Sequence, residues 1–256
     1  MDRPEPDLSL CTVLPANAQL GLFDLFLQTL AAHAEPVAFE VVAVHGGPGP
    51  ALAPLAQRHE RLRLLEARGR GGSSVGLKNQ AMRQACGRYL ALVDYDVHFQ
   101  ADALAGLVHH LDETPEVGLA GPTVLDAYGE IEPTGREMPT WGSLLRRQAC
   151  GLAPAGEPAW IGGGLVVIRR EAFEEAGGLD EGCRPPFDEM EYSLRLAGLG
   201  WHLSVLSEAR VVHARPERYH PELTPTWPLP AILGHTGRLL WKKWRHRLRR
   251  PSPVAG

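Results

Sequence analysis

Two short clusters of acidic residues contain the groups in this sequence that are best suited to chemistry. In the first, Asp94 and Asp96 flank a tyrosine directly after the apolar run at residues 90–93. Paired carboxylates at the end of a strand suit a hard divalent cation such as Mg²⁺ or Mn²⁺, which commonly also binds phosphates. A helix cap together with a solvated loop acid is the alternative, and it is the commoner one for a bare Asp-x-Asp pattern. The position at a strand end, close to a glycine-rich loop, favours a metal site.

The second cluster is "FDEMEYSLR", which contains Asp188, Glu189 and Glu191. Asp188 and Glu191 have the spacing of a capping box with an aspartate as the N-cap, and this explains two of the three acids without any chemistry. Glu189 is left in the first turn of the predicted helix. A carboxylate there could act as a general base if a partly apolar site keeps its pKa suitable.

A glycine-rich stretch, "RGRGGSSVG" at residues 68–76, predicts a loop that leads into a helix. Ser73 or Ser74 could cap that helix. The helix start favours phosphate, with Lys78 nearby, because backbone N–H groups and the helix dipole attract anions. A surface loop with an ordinary N-cap is the alternative. The stretch matches neither the P-loop nor the GxGxxG pattern, so a dinucleotide-binding fold loses support.

Short apolar runs alternate with amphipathic stretches through the first half of the chain. This alternation predicts βαβ units and an α/β fold with a mainly parallel, Rossmann-like sheet flanked by helices. Such sheets bind ligands beyond the carboxyl ends of their strands, so Pro15, His45 and the paired aspartates are expected at one edge. The predicted strands are residues 8–14, 39–45, 62–67, 88–94 and 117–121, and the predicted helices are residues 20–33, 51–60, 77–86 and 101–113.

The second half of the chain is less regular. Residues 123–143 predict a loop with a small hairpin, and residues 160–173 predict glycines, a strand and the start of a helix. A helix is predicted at residues 187–201, followed by two short strands at residues 202–206 and 209–214.

Composition limits the classes of protein that the chain can represent. The 256 residues are 44% hydrophobic and 22% charged, which is ordinary for a globular protein with a sizeable core. The net charge of −4 argues against a general affinity for nucleic acid. The four cysteines lack metal-ligand spacing, which favours buried thiols in a reducing compartment. No signal pattern and no bilayer-length apolar run is visible, so a cytoplasmic location is expected.

Four segments follow one another in an order that is typical of a known family. They are "LSLCTVLP" with "FEVVAVHGG", "GLKNQAMRQACGRYLALVDYDV", "WIGGGLVVIRREAFEEAGGLDE" and "PFDEMEYSLRLAGLGW", with "VVH" closing the domain. Over residues 8–215 the chain therefore resembles an inverting family 2 glycosyltransferase of the GT-A fold, closest to the rhamnosyltransferase-like branch. The resemblance implies a hexosyl- or deoxyhexosyl-transferase that uses Mn²⁺ or Mg²⁺. It would move a sugar from a nucleotide-sugar donor to a hydroxyl of a glycan, lipid-linked or other acceptor.

The resemblance implies a role for each acidic residue. Asp94 and Asp96 would hold the metal on the donor diphosphate, and His213 would be a further ligand. A strand-end histidine with a backbone partner is an equally good explanation of His213. Glu189 falls at the position of the catalytic base, which is usually an aspartate, and Asp188 falls on the glutamate that precedes it.

The resemblance also divides the remaining site residues between the two substrates. Trp160 would offer an aromatic face to a sugar, although core packing explains its position about as well. Nucleotide-binding residues are expected at Pro15, Asn17, His45, Lys78, Asn79 and Tyr95, and acceptor-side residues at Trp160, Gly162, Gly163, Gly164 and Glu191.

Three positions depart from the family pattern. His45 replaces an aspartate, "LPANAQ" lacks a tyrosine, and Glu189 is longer than the usual aspartate. All three concern donor recognition or site geometry, so they leave the nucleotide and the sugar open. A non-catalytic relative that binds nucleotide or sugar is therefore an alternative. A nucleotidyltransferase is less well supported, because the first strand is followed by "PANAQLG" without a basic residue.

A basic tail at residues 226–256 follows the predicted catalytic domain at residues 1–225. It is predicted to form an amphipathic helix, which suits an anionic membrane surface and would place the protein peripherally at the inner face of the membrane. Packing of this helix on the domain is an equal alternative, and nucleic acid ranks below both. One face would carry Leu233, Leu240, Trp241, Trp244 and Leu248.

Deletion of residues 230–256 is expected to weaken binding to anionic vesicles, because it removes both the apolar face and the arginines of this helix. Co-sedimentation with vesicles checks the expectation. The same vesicle binding by the full chain and the truncated chain would contradict it.

Overall fold

The structure is a computed structural model of the chain. It describes residues 6–46, 52–67, 73–132, 134–137, 158–183, 185 and 187–214. The predicted C-terminal helix and most of the glycine-rich loop lie outside these residues, as do Leu233 and the other residues of its apolar face.

Eleven strands and six helices are present in the described residues. The strands are β1 Leu8–Leu14, β2 Phe39–His45, β3 Leu62–Glu66, β4 Tyr89–Val93, β5 Val97–Phe99, β6 Val117–Leu125, β7 Ile131–Glu132, β8 Gly135–Arg136, β9 Trp160–Ile161, β10 Leu165–Arg169 and β11 His202–His213. The helices are α1 Leu20–His33, α2 Ala53–Arg58, α3 Ser74–Gln84, α4 Ala103–Glu113, α5 Arg170–Ala176 and α6 Phe187–Leu199. None of the helices in these ranges combines the length and apolar character needed to cross a bilayer.

Nine of these strands form one sheet in the order β3-β2-β1-β4-β10-β6-β11-β5, with β7 paired to β6. Strands β1 to β4 pair in parallel, and so do β6 and β11. The expected α/β architecture is confirmed. The sheet is nevertheless mixed, because β10 runs antiparallel between β4 and β6 and β5 runs antiparallel to β11.

Helices cover both faces of the sheet, and alternate strand residues supply the two cores. In β4, Tyr89, Ala91 and Val93 pack toward α1 and α4, whereas Leu90 and Leu92 pack toward α3, α5 and α6. Every residue of β4 is buried, because both of its faces are covered. A strand that is covered on both faces has a continuous apolar sequence, so the first aspartate, Asp94, marks the end of β4.

Several local predictions are confirmed, one is wrong, and one strand was not predicted. Ser73 caps α3, since its hydroxyl accepts a hydrogen bond from the N–H of Gly76 at 3.0 Å. The predicted hairpin is formed by β6 and β7. The two short strands predicted after residue 201 are one strand, β11, in which a register shift after Leu206 interrupts the pairing with β6. Strand β5 was not predicted, because three residues are too few to show a period.

Two consecutive arginines fix helices on opposite sides of the sheet. Arg169 donates hydrogen bonds to the carbonyl oxygens of Val117 at 2.9 Å and Thr114 at 3.0 Å, beyond the end of α4. Arg170 donates to the carbonyl oxygen of Gly87 at 2.7 Å, beyond the end of α3. Carbonyl groups beyond a helix end lack helical partners, so a guanidinium that binds them stabilises the connection.

Arg170→Met is expected to lower the free energy of unfolding by about 2–3 kcal/mol, because it leaves partly buried carbonyls without donors. Arg83→Met is the matched control, since Arg83 is exposed on α3, and it should cost about 0.5 kcal/mol or less. Urea denaturation of both variants measures the difference. Equal losses would show that the contacts of Arg170 are not stabilising.

Candidate functional site

Asp94, Asp96 and His213 form a compact group at the end of β4. The Nε2 atom of His213 lies 3.3 Å from Asp96 Oδ1 and 3.5 Å from Asp94 Oδ2. One ligand atom from each of the three residues lies within 4.8 Å of the others. The structure therefore brings together the three residues that the sequence predicted as metal ligands.

The pairing of β5 with β11 explains how a distant histidine reaches the aspartates. The chain leaves β4 at Asp94, turns, and enters β5 at Val97, which pairs with His213. The carbonyl of Asp96 also accepts a hydrogen bond from the N–H of Ala214 at 3.0 Å. The last residues of β11 are thereby fastened across the Asp94–Asp96 turn.

The donor set of this group fits a divalent cation. Two carboxylates and one imidazole supply oxygen and nitrogen ligands, and carboxylates suit Mg²⁺ and Mn²⁺. The side chains of Asp96 and His213 are nearly buried, whereas that of Asp94 is 44% exposed. A bound ion would therefore be anchored on the inner side of the site and open to a ligand on the Asp94 side.

Glu189 occupies the first turn of α6, beside a glycine segment at residues 162–164. Its Oε2 atom accepts a hydrogen bond from the N–H of Gly163 at 3.3 Å. Its Oε1 atom lies 3.6 Å from the Nζ atom of Lys78, and 15% of the side chain is exposed. The carboxylate is held in place and can still be reached from solvent.

The surroundings of Glu189 raise its pKa from 4.5 to about 7. Burial is the largest cause, because a charged carboxylate loses its hydration there. Asp188 and Asp94 raise the pKa further by repulsion, while Lys78 and the Gly163 N–H lower it. A carboxyl group with a pKa close to neutral suits general base chemistry.

Lys78 and Asp188 form a buried ion pair next to Glu189. Nζ of Lys78 donates to Asp188 Oδ2 at 2.9 Å, and the side chain of Asp188 is fully buried. Burial alone would lower the pKa of Lys78, but Asp188, Glu189 and Asp94 together raise it above its ordinary value. The predicted capping box is wrong, because Asp188 lies inside the helix and Glu191 Oε2 binds Arg195 at 2.8 Å.

The glycine segment allows the two halves of the site to approach each other. A Cβ atom on Gly162 would lie 2.6 Å from Oε2 of Glu189, and one on Gly164 would lie 2.6 Å from Nδ1 of His213. Gly164 also has a φ of +91°, which disfavours other residues. Its carbonyl accepts the N–H of Asp94 at 2.8 Å. One short segment therefore contacts both Glu189 and the group formed by Asp94, Asp96 and His213.

Trp160 lies at the rim of this region. Its ring packs against the cluster of Met190 and Leu194, and Arg136 lies over the ring at 5.2 Å from its centre. This packing agrees with a structural role for Trp160. A Cβ atom on the neighbouring Gly162 would meet the ring edge at 3.2 Å, so the ring also borders the pocket of Glu189.

Several predicted site residues make structural contacts of their own. The side-chain amide of Asn79 donates to the Leu179 carbonyl at 2.9 Å and to Glu181 Oε1 at 3.1 Å. The carboxylate of Glu181 also borders Gly76 in the first turn of α3, where the sequence suggested a phosphate. A carboxylate next to that turn repels an anion.

The remaining predicted residues lie at or near the same edge of the sheet. Pro15 and Asn17 are exposed just after β1, and His45 is buried at the end of β2. Tyr95, between the two aspartates, packs against the core on the α1 side. Glu191 is buried, and its carboxylate accepts a hydrogen bond from Arg195.

Sequence reasoning missed one contributor to the site, Glu132. No sequence signal points to this residue, because it follows a turn and belongs to a two-residue strand. Its Oε2 atom nevertheless lies 4.0 Å from Nδ1 of His213.

Two solved structures share this fold over nearly the whole chain. The structure of GalNAc-T7 with UDP, GalNAc and Mn²⁺ has a TM-score of 0.70 and 15% identity, covering 94% of this chain and 50% of that one. The mannosyltransferase PcManGT from Pyrobaculum calidifontis, in complex with GDP-Man and Mn²⁺, has a TM-score of 0.61 and 20% identity, covering 96% of this chain and 77% of that one. The fold is therefore that of the GT-A glycosyltransferases, as the sequence predicted.

The model of the family "Glycosyl transferase family 2" matches residues 24–177, and the chain belongs to this family. A similar protein is the N-acetylglucosaminyl-diphospho-decaprenol L-rhamnosyltransferase of Mycobacterium tuberculosis, 24% identical over 144 residues. That match covers 49% of this chain and 46% of the relative, so this chain matches about half of the relative's length. The O-antigen biosynthesis protein RfbC of Myxococcus xanthus is 25% identical over 148 residues, covering 54% of this chain and 12% of that protein.

Lys78→Met is expected to destabilise the protein by about 3–5 kcal/mol, because it leaves the buried Asp188 carboxylate without its partner. The double variant Lys78→Met with Asp188→Asn removes that charge and should be more stable than Lys78→Met alone. Urea denaturation of wild type, both single variants and the double variant measures the coupling. Strictly additive losses would show that the two charges are not coupled.

The raised pKa of Glu189 predicts how stability depends on pH in metal-free protein. Between about pH 4.5 and pH 7 the folded chain keeps Glu189 protonated while the unfolded chain ionises it. Stability should therefore fall as pH rises through this window, by about 2–3 kcal/mol at ~1.4 kcal/mol per pH unit.

Glu189→Gln removes this ionisation, so the gain in stability of the variant over wild type should grow between pH 4.5 and pH 7. Chemical denaturation of both proteins across this range measures it. A difference that does not change with pH would contradict the raised pKa.

Proposed function

We propose that the protein is a metal-dependent, inverting glycosyltransferase that moves a sugar from a nucleotide-sugar donor to a hydroxyl group of an acceptor. One observation supports this function above the others. A carboxyl group with a near-neutral pKa, Glu189, and a three-residue metal-ligand group lie on either side of the same glycine segment. An acid–base group beside a cation site would meet the two needs of sugar transfer. The base would take the proton of the acceptor hydroxyl, and the cation would stabilise the negative charge of the leaving diphosphate.

On the donor side, Asp94, Asp96 and His213 would hold Mn²⁺ or Mg²⁺. The cation would supply positive charge to the departing diphosphate. The partial exposure of Asp94 supports this arrangement, because a phosphate needs an open face of the ion. His45, buried at the end of β2, stands where the family usually has an aspartate and is therefore proposed to influence nucleotide choice.

On the acceptor side, Glu189 would accept the proton of the attacking hydroxyl. The hydroxyl oxygen then forms a bond to the anomeric carbon as the bond to the diphosphate oxygen breaks on the opposite face, which inverts the configuration. Asp188 is fully buried, so we assign it a positioning role through Lys78 and not direct contact with substrate. The Lys78 ammonium in turn lowers the cost of ionising Glu189.

The acceptor is proposed to be a glycan or a lipid-linked sugar. The M. tuberculosis relative is named as an L-rhamnosyltransferase that acts on N-acetylglucosaminyl-diphospho-decaprenol, a lipid-linked sugar, and this supports the proposed class of acceptor. The basic segment at residues 226–256 would fit such an acceptor by contacting an anionic membrane surface. Trp160 at the pocket rim is the proposed contact for the acceptor sugar.

A thermal-shift screen of sugar nucleotides with and without Mn²⁺ tests the donor site. We expect one nucleotide class to raise the melting temperature only when Mn²⁺ is present, because ligands that bind the folded state stabilise it. Asp94→Ala with Asp96→Ala should abolish the rise. No rise with any common nucleotide would contradict the proposed donor site.

Glu189→Gln separates binding from chemistry. The variant should keep the Mn²⁺-dependent thermal shift but lose about 10²–10⁴-fold in transfer rate, which is the usual contribution of a general base. Glu174→Gln is the matched control, because Glu174 is exposed on α5. Nucleotide binding by the wild-type protein without any transfer or donor hydrolysis would favour a non-catalytic relative.

A further inference from the structure

Glu132 lies directly behind the histidine of the metal-ligand group. It belongs to β7 and pairs with Val124 of β6, which pairs on its other side with Val211 of β11. Because side chains alternate along a strand, Val211 and His213 point to the same face, and Glu132 shares that face. Only 9% of Glu132 and 4% of His213 is exposed, so the two side chains meet in the interior.

The two nitrogens of the His213 ring face different carboxylates. Nδ1 lies 4.0 Å from Glu132 Oε2, whereas Nε2 lies 3.3 Å from Asp96 Oδ1 and 3.5 Å from Asp94 Oδ2. The ring thus stands between the Asp94–Asp96 pair on one side and Glu132 on the other. None of the three distances leaves room for another side chain between the groups.

The backbone holds the ring in this orientation. Gly164 lies against the edge of the imidazole, where a Cβ atom would be 2.6 Å from Nδ1 and 2.8 Å from Cε1. On its own strand, His213 pairs with Val97 at the start of β5. Gly164 therefore confines the ring along its Nδ1–Cε1 edge, and the pairing with Val97 fixes the backbone that carries the ring.

A carboxylate on the Nδ1 side selects one form of the neutral imidazole. A negative charge favours a proton on the nearer nitrogen, because the N–H dipole then points at the charge. The proton on Nδ1 leaves a lone pair on Nε2, which faces the aspartates. In metal sites, a carboxylate behind a ligating histidine fixes its tautomer and orientation and raises its basicity. At 4.0 Å the contact is electrostatic and is longer than an ordinary hydrogen bond.

We propose that Glu132 is a positioning residue of the metal site, which orients His213 so that Nε2 is presented to the ion held by Asp94 and Asp96. This inference rests on the proposed metal-dependent function. It adds a residue that makes no contact with the ion and acts through the histidine. Loss of the Glu132 charge should therefore weaken metal binding without altering any ligand.

Titration of the full chain with Mn²⁺ in the absence of donor, followed by electron paramagnetic resonance, tests the inference. Glu132→Gln should weaken Mn²⁺ binding about 10-fold or more, within the range seen for outer partners of metal ligands. Glu130→Gln is the matched control, because Glu130 lies two residues earlier, just before β7, and is exposed. Equal affinities of these two variants would overturn the inference.

A double-variant comparison shows whether Glu132 acts through His213. In a His213→Ala background, Glu132→Gln should have no further effect on the Mn²⁺ affinity. The same loss in both backgrounds would indicate a general structural role and would overturn the inference. No Mn²⁺ binding by the wild-type chain would overturn the metal site itself and this inference with it, whereas a loss of transfer activity alone would not.

Nuclear magnetic resonance of the wild-type chain gives a test that does not depend on the folding of a variant. In the Mg²⁺-loaded protein, the nitrogen shifts of His213 should show the proton on Nδ1. Any other protonation pattern of this imidazole would overturn the inference.

Discussion

Repulsion among carboxylates at one edge of the sheet is the constraint on which the site depends. Asp94 and Glu189 are close enough for the charge of one to raise the pKa of the other, and Asp188 adds a fully buried charge. Lys78, the only lysine among the described residues, lies between these groups and offsets part of that repulsion. The remaining negative charge is concentrated around Asp94 and Asp96, where a divalent cation would offset it.

These charged groups can approach one another closely because the backbone between them consists of glycine residues. The segment at residues 162–164 passes between α6 and the end of β11, and it touches a catalytic candidate on one side and a ligand candidate on the other. Larger residues would push Glu189 and His213 apart. The same segment leads into β10, the antiparallel strand that joins the two parallel parts of the sheet. The site is therefore built where the two halves of the fold are joined.

Some residues of the family-like motifs hold the structure together, whereas others are suited to chemistry. The arginine pair at the end of β10 binds the carbonyl groups beyond two helices, and Asn79 holds the loop around Leu179. These polar residues support the architecture, because buried carbonyl and amide groups must find partners. Glu189 differs from these residues, because burial raises its pKa to about 7, close to neutral pH. Polar residues of the family-like motifs can therefore have different physical roles, either in holding the fold together or in chemistry.

The sequence by itself determined the βαβ order, the strand end at Asp94, the cap at Ser73 and the candidate roles of Asp96 and Glu189. These features depend on local patterns, such as the apolar run of a buried strand or a serine before a helix. Only the tertiary structure decided which distant groups meet. The pairing of β5 with β11 brings His213 to the aspartates. Asp188 forms an ion pair with Lys78 and does not cap the helix. Such contacts depend on strand order and register, and no short stretch of sequence contains that information.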